Sequence, residues 1–504
     1  MKRKKELIVI LSSLLVIVLS VSVAYFTTKI LGTGKEISVE SADLKVIFTS
    51  GSGTINGSNI EPGWSSGENT FTVKNESNGT YKYNIIIKDL VNTFTTNGFL
   101  VYKITSTDGG YNMTDFADIP KSSTATDTIL AENISIEKGA THTYKIVINY
   151  NNSDDVDQSA DMGKTLSGKI FITKASNPTL ASKLLEDNPT IGTRSDFSTP
   201  FTTNTVNTLY KSTENGTDVY YFAGQDTTST PINNWVKFGK NSSNQVLYWR
   251  IIRTNSDGSI RLLYHGTSTT ATDAYIGTSK FNENYNDSMY VGYMYGTSGS
   301  QESNRTNTNN STIKTAIDNW YASNMTSYTK YLSTTAVYCN DREVGGRTYS
   351  ATGSEFYYAS RTRLYTNKTP TYDCTNDNDK FTVDASAGNG KLTYPIALMT
   401  ADEIAYAGGV AYTTAPMWYY TNSTLESSTG TQWWWSLSPN FWDNSNAIPW
   451  NVRGSVSPGY LNSGSVDEKH RVRPVISLKT CAMTGKGDGS ASSPYEIVET
   501  SSGC

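Results

Sequence analysis

Histidine and cysteine are scarce in this chain of 504 residues, which has 3 histidines and 4 cysteines. These residue types supply many metal ligands and all reactive thiols, so little material is left for metal or redox chemistry. Charged residues make up 17% of the sequence, below the roughly 25% of an ordinary globular domain. The formal net charge of −4 argues against a nucleic-acid-binding protein with a broad basic face.

Tyrosine is the most frequent aromatic residue, with 33 copies against 15 phenylalanines and 10 tryptophans. A tyrosine side chain joins an apolar ring to a polar hydroxyl, so this composition favours large half-exposed surfaces over a few dense cores. At roughly 100–200 residues per domain, the length predicts about three domains, or two domains of which one is large.

The first residues have the pattern of an export signal. Residues 2–5 are basic, and residues 7–26 form an uncharged, mostly apolar run. Ser22 and Ala24 provide the small residues of a signal-peptidase site, whereas a run of about 20 apolar residues can also span a bilayer once. The sequence therefore predicts that residues 1–34 are a signal peptide or an uncleaved N-terminal membrane anchor. Both alternatives place the rest of the chain in an extracellular or cell-surface location.

The four cysteines form two pairs that are close in sequence, Cys339 with Cys374 and Cys481 with Cys504. An even number of cysteines in an exported chain without a Cys-x-x-Cys pair favours disulfide bonds over metal sites. Three connectivities are available to four cysteines, and the two local bonds are the favoured ones.

Residues 35–175 have the pattern of a β-sandwich. β-Branched or aromatic runs, separated by clusters of Gly, Asn, Ser and Asp, predict strands. The predicted strands are residues 45–48, 70–73, 81–87, 143–148 and 169–172. Little helical periodicity interrupts them, which favours two packed sheets.

Five short segments of this first third carry a family resemblance. They are Ala-Tyr-Phe at 24–26, Ala-Asp-Leu-Lys-Val at 42–46, Ile-Glu-Pro-Gly at 60–63, Thr-Val-Lys-Asn at 72–75 and Tyr-Lys-Ile-Val at 144–147. In this order they resemble the camelysin/TasA family of Gram-positive surface and biofilm-fibre proteins. The resemblance implies a jelly-roll-like sandwich that can self-assemble by strand exchange. Peptidase activity is not expected, because the chain has no His-Glu-x-x-His motif and His142 stands alone in a predicted strand.

Residues 176–200 are rich in Ser, Thr, Asn, Asp and Pro, which predicts a linker with one short helical candidate at 180–185. Residues 201–504 then begin with hairpins, since Asn215-Gly216 and Asp257-Gly258 are strong turn signals between apolar runs. Two helices are predicted later in this part. Ser311 can cap one of them, and Thr400 with Glu403 forms a capping box for the other.

Four features of residues 201–504 carry a second resemblance. They are Tyr-Trp-Arg-Ile-Ile at 248–252, the helix from Thr400, Trp-Ser-Leu-Ser-Pro at 435–439 and Val-Arg-Pro-Val-Ile at 472–476. This order resembles the C-type-lectin-like fold, in the branch shared with formylglycine-generating enzymes and surface proteins of low-GC Gram-positive bacteria. The predicted fold class is therefore mostly β, a β-sandwich followed by an α+β C-type-lectin-like domain. Such a scaffold hosts many activities, so it does not fix the function.

The Trp-rich segment after residue 433 is the best candidate for a binding site. Rigid aromatic rings interleaved with small polar groups are typical of recognition loops, and indole rings also stack on the apolar faces of sugars. The candidate ligand-binding residues are Trp442, Asp443, Asn444, Trp450, Asn451, Arg453 and Tyr460. Trp442 and Trp450 are expected to be exposed, whereas residues 433–435 are expected to belong mainly to the core.

The sequence predicts no cofactor, metal ligand or catalytic residue. The Glu-Pro-Asn and Gln-Pro-Asp signatures of calcium-dependent lectin sites are missing, and an oxygen-rich loop at 373–379 lacks the EF-hand pattern. A Ca²⁺ site is therefore an alternative that no motif in the sequence supports. His265 and His470 lie in no nucleophile motif and are expected to be satisfied or solvated. Formylglycine-generating enzymes use a closely spaced cysteine pair, whereas Cys481 and Cys504 are far apart.

These patterns together predict a bacterial cell-surface adhesin that binds a glycan or a surface protein non-covalently, without nucleic acid as a partner. The alternative is a structural subunit of an extracellular fibre or biofilm matrix, in which the first domain polymerises. A weaker alternative is an oxidase of the formylglycine-generating type.

Overall fold

The computed structural model describes residues 36–41, 44–50, 60–76, 80–175, 177–202, 205–422, 424, 426–454, 457–500 and 503–504, with backbone alone for the first two ranges. The predicted signal or anchor segment at 1–34 lies outside the described residues. No helix in the described part of the chain is long and apolar enough to cross a membrane. The chain divides between Asn177 and Pro178 into two compact units, called unit 1 and unit 2 below.

Unit 1 is built from β-strands, and its described residues contain ten of them. Strands β1–β10 are Glu36–Ser41, Leu44–Ser50, Trp64–Ser65, Asn69–Asn75, Tyr81–Asn92, Leu100–Ser106, Ala117–Asp118, Ser122–Ile136, Thr141–Tyr150 and Leu166–Lys174. A 3₁₀ turn covers Ser159–Asp161. Each of the five predicted strands lies within a strand of the structure, namely β2, β4, β5, β9 and β10, so these five predictions are confirmed.

The strands of unit 1 form two sheets that share one hydrophobic core. One sheet has the order β1-β2-β4-β9-β6-β7, with β3 also paired to β9, and the other has the order β10-β5-β8. Side chains alternate between buried and exposed along β9, as expected for a strand with one face on a core. Phe71 and Ile146 of the first sheet and Ile85 and Ile170 of the second belong to the same buried cluster.

Unit 2 is also mostly β, with short helices between its strands. Its strands β11–β31 are Thr190–Thr193, Thr208–Glu214, Thr217–Tyr221, Trp235–Lys240, Val246–Thr254, Ile260–Tyr264, Gly277–Ser279, Met294–Tyr295, Asn309–Asn310, Tyr338–Cys339, Val344–Gly346, Phe356–Tyr358, Lys380–Phe381, Ile396–Leu398, Trp434–Trp442, Ala447–Val452, Leu461–Ser463, His470–Val472, Pro474–Leu478, Thr484–Lys486 and Tyr495–Ile497. Helices α1–α5 are Leu180–Asp187, Gln301–Asn304, Thr312–Asn324, Ala359–Arg361 and Ala401–Tyr406. Single 3₁₀ or π segments cover Ser288–Val291, Thr326–Tyr331, Thr362–Asn367 and Asp377–Asp379.

Two large sheets organise unit 2. The first has the order β11-β12-β13-β15-β14-β31-β30, and β16, β29 and β24 extend it from β15. The second has the order β17-β28-β25-β22-β21, with β26 paired to β25 and β27 paired to β26. Two further pairs, β18 with β19 and β20 with β23, complete the described strands.

Local sequence signals explain several of these elements. Thr400 accepts from the Glu403 backbone N–H and Glu403 accepts from the Thr400 N–H, so the predicted capping box is present at α5. Ser311 caps α3 by accepting from the Lys314 N–H. Asn215 and Gly216 both have positive φ, 50° and 78°, between β12 and β13, as a two-residue type I′ hairpin turn requires.

Residues 178–200 of the predicted linker belong to unit 2, and the helical candidate at 180–185 is confirmed as part of helix α1. Thr179 caps helix α1, and Leu180 and Leu184, one turn apart, are buried in the core. Strand β11 then pairs in parallel with β12. The polar residues that resembled a linker in composition thus include the helix cap Thr179.

Two disulfides join the local pairs that the sequence favoured. Cys339 is bonded to Cys374, and Cys481 is bonded to Cys504. Disulfides are typical of exported proteins and are rare in reducing compartments.

Candidate functional site

The Trp-rich segment forms a hairpin of β25 and β26 at the centre of the second sheet of unit 2. β25 pairs with β22, β26 and β28. Trp434 pairs with Val452 at one end of the hairpin, called the hairpin base, and Trp442 pairs with Ala447 at the other end, called the hairpin tip. At about 3.3 Å per residue, the strand separates base and tip by about 26 Å.

Three of the predicted site residues are buried inside this hairpin. Trp442, Trp450 and Asn451 are 1%, 0% and 0% exposed, so the expected exposure of the two tryptophans is wrong. The indole N–H of Trp442 donates to the carbonyl oxygen of Gly353 at 3.1 Å, and that of Trp450 donates to Ser360 Oγ at 3.1 Å. These indoles are therefore satisfied within the core, where they contribute packing.

The sheet buries these residues because both of its faces are covered. Successive side chains of a strand point to opposite faces, yet Trp434 and Trp435 are both fully buried. The Trp434 ring packs edge-on against Tyr419 at 6.4 Å, and the Trp435 ring packs edge-on against Phe281 at 5.8 Å. The expected core position of these two tryptophans is confirmed.

Asp443 and Asn444 lie at the hairpin tip, where they form the turn. Asn444 is exposed and has a φ of 75°, a conformation that asparagine tolerates better than most residues. Asp443 accepts from the backbone N–H groups of Ser445 and Asn446 at 2.9 and 2.6 Å. Partial burial opposes ionisation, but these hydrogen bonds together lower the pKa of Asp443. Turn geometry therefore accounts for both residues.

Arg453 and Tyr460 lie at the hairpin base, next to Trp433. The guanidinium carbon of Arg453 is 4.6 Å from the centre of the Trp433 ring and 5.3 Å from that of Tyr460. The Arg453 backbone N–H also donates to the Tyr460 carbonyl oxygen at 2.9 Å. All three side chains are partly exposed. The structure thus brings two of the seven predicted residues together with Trp433, which the sequence had placed mainly in the core.

An open cavity of about 330 Å³ lies beside Trp433. Its lining residues are Thr278, Thr431, Gln432, Trp433, Lys469, His470 and Arg471. This set combines an indole wall with two hydroxyls, one amide and two permanent cations, which are the groups that recognise polar ligands with apolar faces. We call this cavity, with its lining residues, the base cavity.

Arg471 is held in place from several sides. Its Nε donates to Gln432 Oε1 at 3.1 Å, and its Nη1 donates to the Thr278 hydroxyl. The guanidinium carbon lies 4.5 Å from the centre of the Tyr275 ring. The Arg471 backbone N–H donates to the Trp433 carbonyl oxygen at 2.7 Å, so strand β28 is fixed against the hairpin base.

His470 packs between the site and the core. Its ring lies 5.4 Å from the Trp433 ring and 4.3 Å from the Trp435 ring. The Glu468 carboxylate is 3.1 Å from His470 Nε2, and this hydrogen bond lowers the pKa of Glu468. Gly464 lies beside this pair, since a Cβ there would be 2.6 Å from Glu468 Oε2 and 3.0 Å from Asn451 Nδ2.

Sequence reasoning missed Gln432, Lys469, Arg471 and Thr278 as site residues. His470 was expected only to be a satisfied or solvated histidine. The pairing that unites Lys469 and His470 with the hairpin is the parallel register of Trp434 with Arg471. No local pattern encodes that long-range pairing, and the signal in the sequence was the run of charged residues and histidine at 467–471, directly before Val472.

The other candidates from the sequence have structural roles. In the oxygen-rich loop, Asp379 is buried at 2.6 Å from Arg342, and Asp377 pairs with Lys380 at 2.7 Å. The described residues contain no group of three His, Cys, Asp or Glu side chains arranged to hold a metal ion. Cys481 is engaged in a disulfide with Cys504, so this thiol is not free for the copper chemistry of the oxidase alternative.

Comparisons with known proteins add no functional assignment. No model of a known protein family matches the chain, and no curated protein matches it. Among solved structures, one match is a family 123 glycoside hydrolase from Clostridium perfringens, described in a study of glycolipid glycan hydrolysis. The match has 8% sequence identity and a TM-score of 0.10, and it covers 44% of this chain and 47% of the hydrolase chain. A likeness this weak carries no argument about fold or activity.

Proposed function

We propose that the protein is a bacterial cell-surface adhesin, in which unit 2 binds a glycan or a protein ligand non-covalently at the hairpin base. The observation that carries this proposal is the stack of Arg453 against Trp433 and Tyr460 at the edge of an open cavity. Tryptophan, tyrosine and arginine are the residues that most often anchor binding interfaces. No catalytic step is part of the proposal.

The geometry of the hairpin base favours binding because several of its side chains are held by contacts within the protein. Trp433 packs against Arg453 on one side and His470 on another, and Arg471 is fixed by Gln432 and Thr278. Immobilising a flexible side chain on binding costs about 0.5–1.5 kcal/mol. A site that is ordered before the ligand arrives avoids much of that cost.

We also propose an extracellular location and a fold type for each of the two units. Two disulfides and an apolar N-terminal run support export. The two sheets of unit 1, which share a core, support a jelly-roll-like sandwich of the camelysin/TasA type. The short helices between the strands of unit 2 support a C-type-lectin-like domain. The sandwich would then hold the recognition domain at the cell surface, with the N-terminal segment as a membrane anchor if it is not cleaved.

The test is a binding screen of the exported chain on glycans, mucins and intact cells. Tyr460→Ala removes one ring of the stack, and Asn444→Ala is the matched control at the hairpin tip. We expect a ligand that the wild type and Asn444→Ala retain equally and that Tyr460→Ala binds about tenfold more weakly. Equal binding by all three proteins, or no ligand for a folded protein, would contradict the proposal.

A fibre subunit is the second candidate, and one feature of unit 1 supports it. Among the described strands, β8 pairs only with β5 and so lies at the edge of the three-stranded sheet, and most side chains of its first half are exposed. Ile129 on this strand is 51% exposed. An unprotected edge is a template for pairing with another chain. Light scattering on wild type and Ile129→Lys distinguishes the candidates, since a fibre subunit forms oligomers that the lysine suppresses.

A further inference from the structure

The hairpin base carries an excess of positive charge. Arg453, Lys469 and Arg471 all contact or line the space around Trp433. Among the described residues, none of these three cations has a carboxylate within 4.0 Å. The chain as a whole has a net charge of −4, so this local excess is opposite in sign to the charge of the whole molecule.

Several arginines of unit 2 behave differently. Arg250, Arg253 and Arg342 are buried and each lies within 3 Å of a carboxylate oxygen. Those guanidinium groups stabilise the fold by pairing. The cations of the hairpin base are partly or fully exposed instead, so their charge is available to a ligand.

Glu468 directly precedes Lys469 in the chain, and its carboxylate has a partner within the protein. Its carboxylate accepts from His470 at 3.1 Å and forms no ion pair within 4.0 Å with Lys469 or Arg471. Asp467, which directly precedes Glu468, accepts from the Ser465 hydroxyl at 2.5 Å.

Resting on the proposed function, we propose that the base cavity binds an acidic sugar unit of a glycan. The ligand's carboxylate or sulfate group contacts Lys469 and Arg471, and its apolar ring face packs against the indole of Trp433. The hydroxyls of Thr278 and Thr431 and the amide of Gln432 provide hydrogen bonds for the sugar hydroxyls. Cationic groups bind such anions through charge-assisted hydrogen bonds, and the indole wall distinguishes a sugar from a simple anion.

The test uses two matched pairs of polymers with the exported full-length chain. Polygalacturonate is compared with its methyl ester, which has the same rings without the carboxylate charge. Dextran sulfate is compared with dextran, so that the two pairs separate a carboxylate ligand from a sulfated one. Lys469→Gln removes one cavity cation, Trp433→Ala removes the indole wall, and Lys391→Gln removes an exposed cation outside the cavity as the control.

We expect at least one acidic polymer to bind about tenfold more tightly than its neutral partner. Lys469→Gln and Trp433→Ala should each weaken this binding by about tenfold, and Lys391→Gln by less than about twofold. Equal loss in Lys391→Gln and Lys469→Gln would show non-specific attraction of polyanions and overturn the inference.

Two other results separate this inference from the proposed function. Equal binding of charged and neutral polymers, lost in Trp433→Ala alone, would overturn the acidic ligand but keep glycan recognition at the hairpin base. Binding of none of the four polymers would overturn the inference, whereas the adhesin proposal would still be decided by the wider screen of mucins and cells.

Discussion

The guanidinium carbon of Arg453 lies 4.6 Å from the centre of the Trp433 ring, and both side chains are partly exposed at the hairpin base. Within the segment 433–435, Trp434 and Trp435 are fully buried, whereas Trp433 is not. The Trp-rich segment thus serves two purposes. Its interior holds the second sheet of unit 2 together, and its first residue forms part of a surface.

This division predicts different effects for two Trp→Ala substitutions on stability. Trp450→Ala removes a fully buried ring and should lower the free energy of unfolding by about 3–5 kcal/mol. Trp433→Ala removes a half-exposed ring and one cation–π contact, so a loss of about 1–2 kcal/mol is expected. Urea denaturation followed by circular dichroism measures both. Equal losses would show that Trp433 is a core residue.

A second prediction concerns the buried ion network next to the Cys339–Cys374 disulfide. Glu403, 1% exposed, accepts from Arg253 at 3.0 Å and from Arg261 at 2.8 Å. Burial opposes its ionisation, but the two arginines lower the pKa of Glu403. Glu403→Gln leaves Arg261 buried without a carboxylate, so we expect a loss of about 3–5 kcal/mol.

The control for this substitution is Glu355→Gln. Glu355 pairs with Arg347 at 2.7 Å on the surface, where such a pair contributes about 0–1 kcal/mol. Thermal or urea unfolding compares the two variants with the wild type. A Glu403→Gln protein as stable as Glu355→Gln would contradict the structural role of the network.

A third prediction concerns the pH dependence of unit 2. His265 is fully buried, and Arg473 Nη2 donates to its Nδ1 at 3.2 Å. Burial, followed by the charges of Arg473 and Arg250, keeps the pKa of His265 well below its usual value. Between pH 7.5 and 5 the unfolded chain therefore binds a proton at His265 that the folded chain does not.

This difference in bound protons determines how the free energy of unfolding changes with pH. Stability is full above the usual histidine pKa of about 6.5 and falls as the pH decreases, by about 2 kcal/mol at pH 5. His265→Gln can still accept from Arg473 but does not titrate, so its stability should depend less on pH. Tryptophan fluorescence during urea unfolding monitors unit 2, since Trp64 is the one tryptophan of unit 1. An identical pH dependence in both proteins would refute this role of His265.

Local signals in the sequence predicted much of the fold. The Thr400–Glu403 capping box, the Ser311 cap and the Asn215-Gly216 turn depend on neighbouring residues, and each forms as expected. Five of the ten described strands of unit 1 follow from β-branched or aromatic runs in the sequence. These features could be predicted because the interactions that stabilise them lie within a few residues of one another.

The site could be predicted only in part. Arg453 and Tyr460 were candidates, but Trp442 and Trp450 were expected on the surface and are buried. Periodicity does not show whether a strand is covered on both faces, because that depends on what packs against the sheet. Arg471 reaches the site through the pairing of β28 with β25, which joins residues that are distant in sequence.

The central claim is that the ligand binds at the hairpin base and not at the hairpin tip. Hydrogen–deuterium exchange of the exported chain, with and without the ligand retained in the screen, tests this most directly. We expect slower exchange at residues 431–433 and 469–471 in the complex, and unchanged exchange at residues 443–446. Protection confined to residues 443–446, or to unit 1, would contradict the assignment of the hairpin base as the recognition site.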